Sequence, residues 1–462
     1  MMAGWIQQRV LRLFRRLSRI SRWFETRFTD TGRVVLGGAI GATIFGLDPR
    51  RTEAIQLAAL LVAILAVAAA YAVRWRPHLE VARMLPDTVT LGVPAYYRLA
   101  VTNHGRRIEA GLVILDELRT RYPGVREFSE PVAGEREAGL NWFDRRVGFP
   151  RWLELLRRGR GARLAAQSLP PIRPGETIRI DVPLVPLRRG KLVFDSVLIK
   201  RADPLHVFFA LARFTLYGEL IALPQRFPVP RLQWRSERHF HPGGLTLAAT
   251  VGDSEEFMGL REYRPGDPLR HIHWRSFARL GEPVVKEFQD EYFDRHALLI
   301  DTFAGTATSA EFETAIAVAA SLIHCERPSD SILDLVFIDH EVWRMTTGRG
   351  LSNNRQLLIQ LAELNPNPVD EFARLANYAR RYVDRLASVM LVCTAWDPAR
   401  AAFVAELRHN QVNCLVIQIA EANGGPADIA GANPASRPGT CRIRPSAPAL
   451  DLAALAQPLA PL

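Results

Sequence analysis

The sequence predicts an α+β multidomain protein: an N-terminal transmembrane helical hairpin, an immunoglobulin-like β-sandwich, and an α/β domain. Three observations lead there. Two uncharged apolar runs lie close together, at 34–47 and 54–73. Short β-branched or aromatic segments separated by turns fill 77–230. From residue 295, strands alternate with helices.

Residues 1–33 form a basic arm. It holds eight Arg against Glu25 and Asp30, a local +6 out of the formal +11 of the whole chain. Arg9, Arg12, Arg15, Arg16, Arg19 and Arg22 alternate with Leu11, Leu13, Phe14, Leu17 and Ile20 at helical spacing. That is the pattern of an amphipathic helix on anionic lipid, with Arg12, Arg15, Arg16 and Arg19 as membrane contacts. Nucleic acid is the other partner a basic run can take. The apolar segments that follow favour lipid, so no nucleic acid is expected.

Residues 34–76 read as a membrane hairpin. The 54–73 run is long enough for a ~30 Å hydrocarbon core at ~1.5 Å per residue. The 34–47 run is shorter, and its Gly37, Gly38, Gly41 and Gly46 suit close helix–helix approach beside a second span. The arm is too long for a cleaved signal peptide, and no Ala-x-Ala-like site precedes the second run. Arginine bias puts the arm, Arg74 and Arg76 on the cytoplasmic side of a plasma (inner) membrane, opposed weakly by Arg50 and Arg51. Cys325, Cys393, Cys414 and Cys441 show neither metal nor disulfide spacing, which agrees with a cytoplasmic location for the rest.

Within 77–230, strands are expected at 96–101, 112–115, 178–182 and 192–199, with turns at Asn103-His104-Gly105, Pro174-Gly175 and Arg188-Arg189-Gly190. Their spacing favours the sandwich. A basic and aromatic insertion at 140–165 stands apart. Trp142 and Trp152 beside many Arg suit a lipid interface. A helix packed on the sandwich with a solvated Arg face is the other reading.

Residues 231–294 carry the densest signal, Arg261-Glu262-Tyr263-Arg264-Pro265-Gly266-Asp267-Pro268-Leu269-Arg270-His271-Ile272-His273-Trp274, continuing through Ala278-Arg279 to Val285-Lys286-Glu287. Pro265-Gly266 marks a turn. Asp267 suits a helix N-cap with Pro268 at the first helical position. Leu269, Ile272 and Leu280 would share an apolar face, and Arg270 and Trp274 stand at i,i+4, a cation–π spacing. Gly281-Glu282-Pro283 stops the helix before a strand at 284–288. The arginines can grip an acidic partner or pair internally with Glu255, Glu256 or Glu287. Exposed ion pairs contribute only ~0–1 kcal/mol each, so a partner-facing or interdomain role explains them better than stability.

This segment resembles the signature of domain-of-unknown-function family fifty-eight, membrane-associated bacterial and archaeal proteins linked to MoxR-type AAA+ ATPases. The matching residues are Arg261, Tyr263, Arg264, Gly266, Asp267, Arg270, Ile272, Trp274, Ala278, Arg279, Lys286 and Glu287. The resemblance also implies a β-domain before the signature and a von Willebrand factor A-like domain after it. Arg188-Arg189-Gly190 and Asp203-Pro204 fit the former, while Leu205-His206-Val207 departs from the family's usual sequence.

For the α/β domain, 295–424, strands are expected at 297–301, 332–338, 388–393 and 412–419, with an edge hairpin at 342–345. Helices are expected at 311–325, 356–364, 369–382 and 398–407. The tail, 425–462, reads as largely flexible, with one edge strand near Cys441 and a last helical turn at 452–455. Von Willebrand A-like domains can hold a divalent ion through Asp-x-Ser-x-Ser. Here the loop is Asp301-Thr302-Phe303-Ala304-Gly305, which lacks both hydroxyl positions, so Mg²⁺ has at best a degenerate site at Asp301 and Asp397. Asp397 before Pro398 is equally a helix N-cap, and Asp301 a strand-end residue binding backbone N–H groups.

No catalytic residue or cofactor is expected. His271 and His273 at i,i+2 point apart on a helix, and neither a zinc motif nor a phosphate loop is present. The expected function is a non-catalytic, membrane-anchored adaptor that works with a MoxR-type AAA+ ATPase, as the resemblance implies, in assembly or remodelling of an envelope or metal-dependent complex. The alternatives are a divalent-ion-dependent scaffold and a metal hydrolase built on His271/His273.

Overall fold

The computed structural model describes residues 2–46, 52–124, 128, 148–230, 257–265, 267, 269–288, 294–303, 305, 308–325, 331–348, 354–420 and 440–453. Trp142, Gly266, Pro268, Glu255, Glu256 and the tail from 421 to 439 lie outside them. The chain divides into two units, Met1–Gln225 with Leu358–Leu364 and Arg226–Leu357 with Asn365–Leu462.

The first unit starts with α1 (Met2–Arg27), α2 (Asp30–Phe45) and α3 (Thr52–Arg74). Residues three and four apart share a helix face, which divides α1 into three. Leu11 and Phe14 are buried, Leu13, Leu17, Ile20 and Phe24 form an exposed apolar stripe, and Arg12, Arg15, Arg16 and Arg19 are exposed. Thr29 caps α2, its Oγ1 accepting from Gly32 N at 3.0 Å. The α1–α2 junction docks on a loop of the sandwich: Thr29 N donates to Val207 O (3.1 Å) and the Phe28 and Phe208 rings lie 4.5 Å apart. The Asp203 carboxylate, itself buried, holds that loop by accepting from Leu205 N (2.6 Å) and Val207 N (3.1 Å).

Two spans were expected, and one helix qualifies. Glu53–Arg74 in α3, with a mean hydropathy of 2.3, is the helix among the described residues long and apolar enough to cross a membrane. α2 packs against α3, with Gly38 facing Leu61 and Gly46 facing Ile55. However, α2 has 16 residues, or ~24 Å at ~1.5 Å each, short of a ~30 Å core. Gly38 and Gly46 meet α3, whereas Gly37 and Gly41 face open space, and none of them supplies length.

The sandwich region contains β1 (Leu79–Met84), β2 (Thr88–Thr90), β3 (Ala95–Asn103) and β4 (Leu112–Leu118). After α4 (Phe149–Gly159) come β5 (Ala162–Leu164), β6 (Gln167–Ser168), β7 (Thr177–Pro186), β8 (Gly190–Ala202) and β9 (Phe209–Leu223). They form two sheets, β1-β3-β7-β5 and β2-β9-β8-β4-β6, antiparallel except for the parallel β2–β9 pair. Alternating residues such as Leu99, Val101, Ile114, Leu184, Phe194 and Ile199 fill one core between them. Gly190 starts β8 at φ 94°, a conformation that favours glycine.

The insertion resolves into α4 and corrects one expected lipid contact. Trp152 is 0% exposed and sits beside Leu11 and Phe14 of α1. Its indole is a core anchor between two helices, packed on α1 and not on the sandwich strands.

The second unit contains β10 (Phe257–Glu262), α5 (Trp274–Leu280) and β11 (Val284–Phe288). Then follow β12 (Asp294–Ile300), α6 (Ser309–His324), β13 (Ser331–Asp339), β14 (Glu341–Thr347), α7 (Asn354–Glu363), whose residues from Leu358 on belong to the first unit, and α8 (Phe372–Arg380). β15 (Ser388–Cys393), α9 (Pro398–His409), β16 (Asn413–Ile419), β17 (Thr440–Ile443) and α10 (Pro448–Ala453) complete it. The six-stranded sheet runs β14-β13-β12-β15-β16-β17, parallel except at the β14 edge. Ala297, Leu299, Val389 and Leu391 pack with α8 and α9, while α6 packs on β15 and β16. A capping box starts α6: Glu311 N donates to Thr308 Oγ1 at 3.3 Å, and Thr308 N to Glu311 Oε2 at 2.6 Å.

Candidate functional site

Two places in the second unit gather the residues the sequence singles out. The first is an antiparallel hairpin. β10 pairs with β11, Arg261 opposite Val285, and the segment between them is laid back onto β11. His273 N donates to Val284 O at 2.8 Å and Tyr263 N to Pro283 O at 3.0 Å. Ile272, Val284 and Val285 are buried and form its small apolar centre.

The turn is closed by charge. Arg261 grips Asp267 through two parallel hydrogen bonds of 2.7 and 2.8 Å, and Arg264 N adds a third at 2.8 Å. The Arg261 hydrogen bonds first, then the Arg264 amide, hold the Asp267 carboxyl down to about 2. Asp267 is therefore the anchor of this turn and not a helix N-cap. A 3₁₀ turn at Leu269–His271 intervenes, and α5 begins at Trp274 after His273. That break removes the i,i+4 relation of Arg270 to Trp274, and Arg270 Nε instead donates to His271 Nε2 at 3.2 Å. Gly281 ends α5 at φ 76°, as its sequence position predicts.

The expected apolar face does not form as a unit. Ile272 turns inward, whereas Leu269, Trp274 and Leu280 are 65%, 61% and 65% exposed. Arg279 is exposed, Lys286 is half-buried, and Glu287 pairs through its backbone with Gly259. His271 and His273 do not converge: His273 Nδ1 meets Ser276 Oγ at 2.6 Å, while His271 is engaged with Arg270. β10, which no sequence signal marked, is the strand that makes this segment a hairpin.

The second place is the C-terminal end of the parallel strands. The chain leaves β12 for β13 on one side and later fills β15 on the other, so β12/β15 is the switch point where such sheets form a crevice. Asp301 and Asp397 do come together there, around a group the sequence did not suggest. Arg400, 0% exposed, donates from Nε to Asp301 Oδ2 at 2.7 Å. It also reaches Asp370 at 3.2 and 3.3 Å and pairs with Asp397. Its guanidinium carbon lies 4.6 Å from the Phe372 ring centre and 5.5 Å from that of Phe303.

Asp397 also caps α9 by accepting from Arg400 N at 2.9 Å, and Asp301 accepts from Phe303 N at 3.1 Å, so both structural roles expected of them are realised. Burial raises the Asp301 pKa against the opposing pull of Arg400. The neighbouring hydroxyls are engaged too, Thr302 with Ile338 O (2.9 Å) and Thr394 with Phe303 O (3.0 Å). A guanidinium thus stands among the carboxylates where the resemblance would put a divalent ion. One signal for it was available: an Arg in the first turn of a helix opposes the helix dipole and needs acidic partners.

These two places fall in one matched region. Residues 259–424 fit the family model "Protein of unknown function DUF58". The chain carries a DUF58 domain. The domain takes in β10, the hairpin and the parallel sheet through β16. A relative, the uncharacterized protein YeaD of Bacillus subtilis (strain 168), is 27% identical over 232 residues, 49% of this chain and 55% of that protein. The chain thus spans about half the length of the curated relative it matches. Two of the solved structures that it matches are of low identity. A mutant Salmonella alpha-2-macroglobulin is 13% identical over 33% of this chain and 8% of that one, at a TM-score of 0.17. The ASH / PapD-like domain of human CEP192 is 15% identical over 31% of this chain and 85% of that one, at 0.15. Scores that low carry no argument about the fold of the DUF58 domain or of the sandwich.

Proposed function

We propose that this chain is a non-catalytic, membrane-anchored adaptor whose signature hairpin docks a MoxR-type AAA+ ATPase. In this reading α3 crosses the plasma membrane, with α2 packed beside it, and the soluble regions lie in the cytoplasm. The two-sheet region is immunoglobulin-like, and the α/β region of the DUF58 domain is von Willebrand A-like. Arg400 fills the place of a divalent ion, so docking needs no metal. The ATPase comes from the family resemblance; the hairpin supplies the physical support.

One observation carries the reading. The Arg261–Asp267 clamp closes the turn, and the same short hairpin leaves Leu269, Trp274 and Leu280 exposed beside Arg270 and Arg279. Exposed Trp and Arg are the residues that most often anchor protein interfaces. Affinity purification from native membranes in mild detergent tests it, comparing the wild type with Arg270→Ala/Trp274→Ala. An AAA+ ATPase should co-elute with the wild type and be lost from the variant. Absence of an ATPase, or retention by the variant, would overturn the docking assignment.

A further inference from the structure

The first unit contains a cavity of about 1420 Å³, bounded by α1, α4, β5 and the outer face of β4, β8 and β9. Its lining is rich in arginine, and the acidic groups are mostly occupied. Asp116 is held by Arg83 at 2.6 Å, Glu117 by Arg213 at 3.1 Å, Asp195 by Arg119 at 3.5 Å and Glu154 by Arg157 at 3.8 Å. Among the described residues, Arg22, Arg160 and Arg163 line the same cavity with no carboxylate in ion-pair contact. Among the described lining residues, Glu25 is the acidic group left to offset them. Partial burial, then the charge of Arg22, lowers the Arg160 pKa against the opposing pull of Glu25. Leu115, Leu118, Leu155 and Leu164 complete the wall with apolar surface.

We propose that this cavity binds the phosphodiester headgroup of an anionic phospholipid, with Arg22, Arg160 and Arg163 as the phosphate-gripping residues. Arginine forks match phosphate oxygens in geometry as well as charge. A lipid is favoured over a soluble phosphate by what continues from the site. Arg22 belongs to α1, which leads through α2 to α3, the membrane-crossing helix of the anchored reading. The site rests on the anchored reading of α3 and is independent of any ATPase.

The test uses the full chain in mild detergent, with native mass spectrometry and titration by phosphatidylglycerol or phosphatidylcholine. The wild type should retain phosphatidylglycerol in preference. Each Arg→Gln change at 22, 160 and 163 should weaken that retention roughly fivefold. Arg179→Gln, on the exposed side of β7, should leave it unchanged. A triple Arg→Lys variant, which keeps the charge, should retain the preference, so loss through misfolding of the Gln series is recognisable. Equal retention of both lipids by the wild type would overturn the proposal whatever the variants do. Displacement by pyrophosphate or by a poly-glutamate peptide at matched concentration would also overturn it, in favour of a soluble anion. Carbonate extraction separates the two readings: a chain that stays in the membrane without lipid preference sinks this site alone, and a released chain sinks the anchor as well.

Discussion

Two guanidinium–carboxylate clamps in the DUF58 domain use the same chemistry in opposite surroundings. Arg400 meets Asp301 with both side chains almost fully buried, and two phenyl rings cover the guanidinium. Arg261 meets Asp267 at the same 2.7 Å distance near the surface. In water, desolvation costs little and the pair contributes little. In the core each charge depends on the other, because an abandoned partner has no solvent to turn to. The buried clamp therefore governs folding of the sheet's C-terminal end, and the exposed one sets the shape of a surface turn.

The largest effect expected from breaking this contrast is Arg400→Met. It strands Asp301 in the core, together with Asp370 and Asp397 at its edge, and should cost about 3–5 kcal/mol in urea unfolding. Asp301→Asn should cost less, about 1–3 kcal/mol, because Asp370 and Asp397 still balance the guanidinium. Reversal of that order would mean Asp301, not Arg400, organises the cluster. Arg83 and Asp116 in the sandwich sharpen the point, being bound through Nε at 2.8 Å and Nη2 at 2.6 Å and also buried. Asp116 carries one further bond, from Tyr97 Oη at 2.9 Å. Arg83→Met should fall in the same 3–5 kcal/mol range, while Arg83→Met/Asp116→Leu should recover part of the loss. The Arg400 site, with its other carboxylates, should not be recovered by the matching double change.

Local features of these regions were legible in the sequence, and the long-range ones were not. Apolar runs such as 388–393 coincide with β15, and Gly281 marks the end of α5, because period and turn chemistry are properties of neighbours. Thr308-x-x-Glu311 was a readable helix start that apolar periodicity alone placed too late. β10 escaped notice because its evidence is its partner β11, beyond a turn, a 3₁₀ turn and a helix. The Arg400 cluster joins Asp301 from 99 residues away and Asp370 from 30. Each residue alone has an ordinary local reading. The cap role read for Asp397 and the backbone-binding role read for Asp301 are both present, and Arg400, which joins them, had no local signal strong enough to be read.

The smallest stability effect belongs to Asp267→Asn, and it is the sharpest check on the exposed clamp. The substitution should lower the melting temperature of the full chain at pH 7 by less than Arg400→Met does, because the pair stands partly open to solvent. Its consequence should appear in shape: the cross-turn hydrogen bonds loosen, and amide exchange at Arg264 and Asp267 speeds up. The pH dependence has a definite sign. The Asp267 carboxyl is depressed from an ordinary 3.8 to about 2 in the folded chain. Its contribution is present above the unfolded value and disappears as pH falls through about 2. Amide protection in the turn should therefore persist at pH 4 in the wild type and fade only toward pH 2, with Asp267→Asn unprotected across the range. Loss of protection already near pH 4 would show that Arg261 does not hold the carboxylate in solution, and the hairpin would then need another explanation for its closed turn.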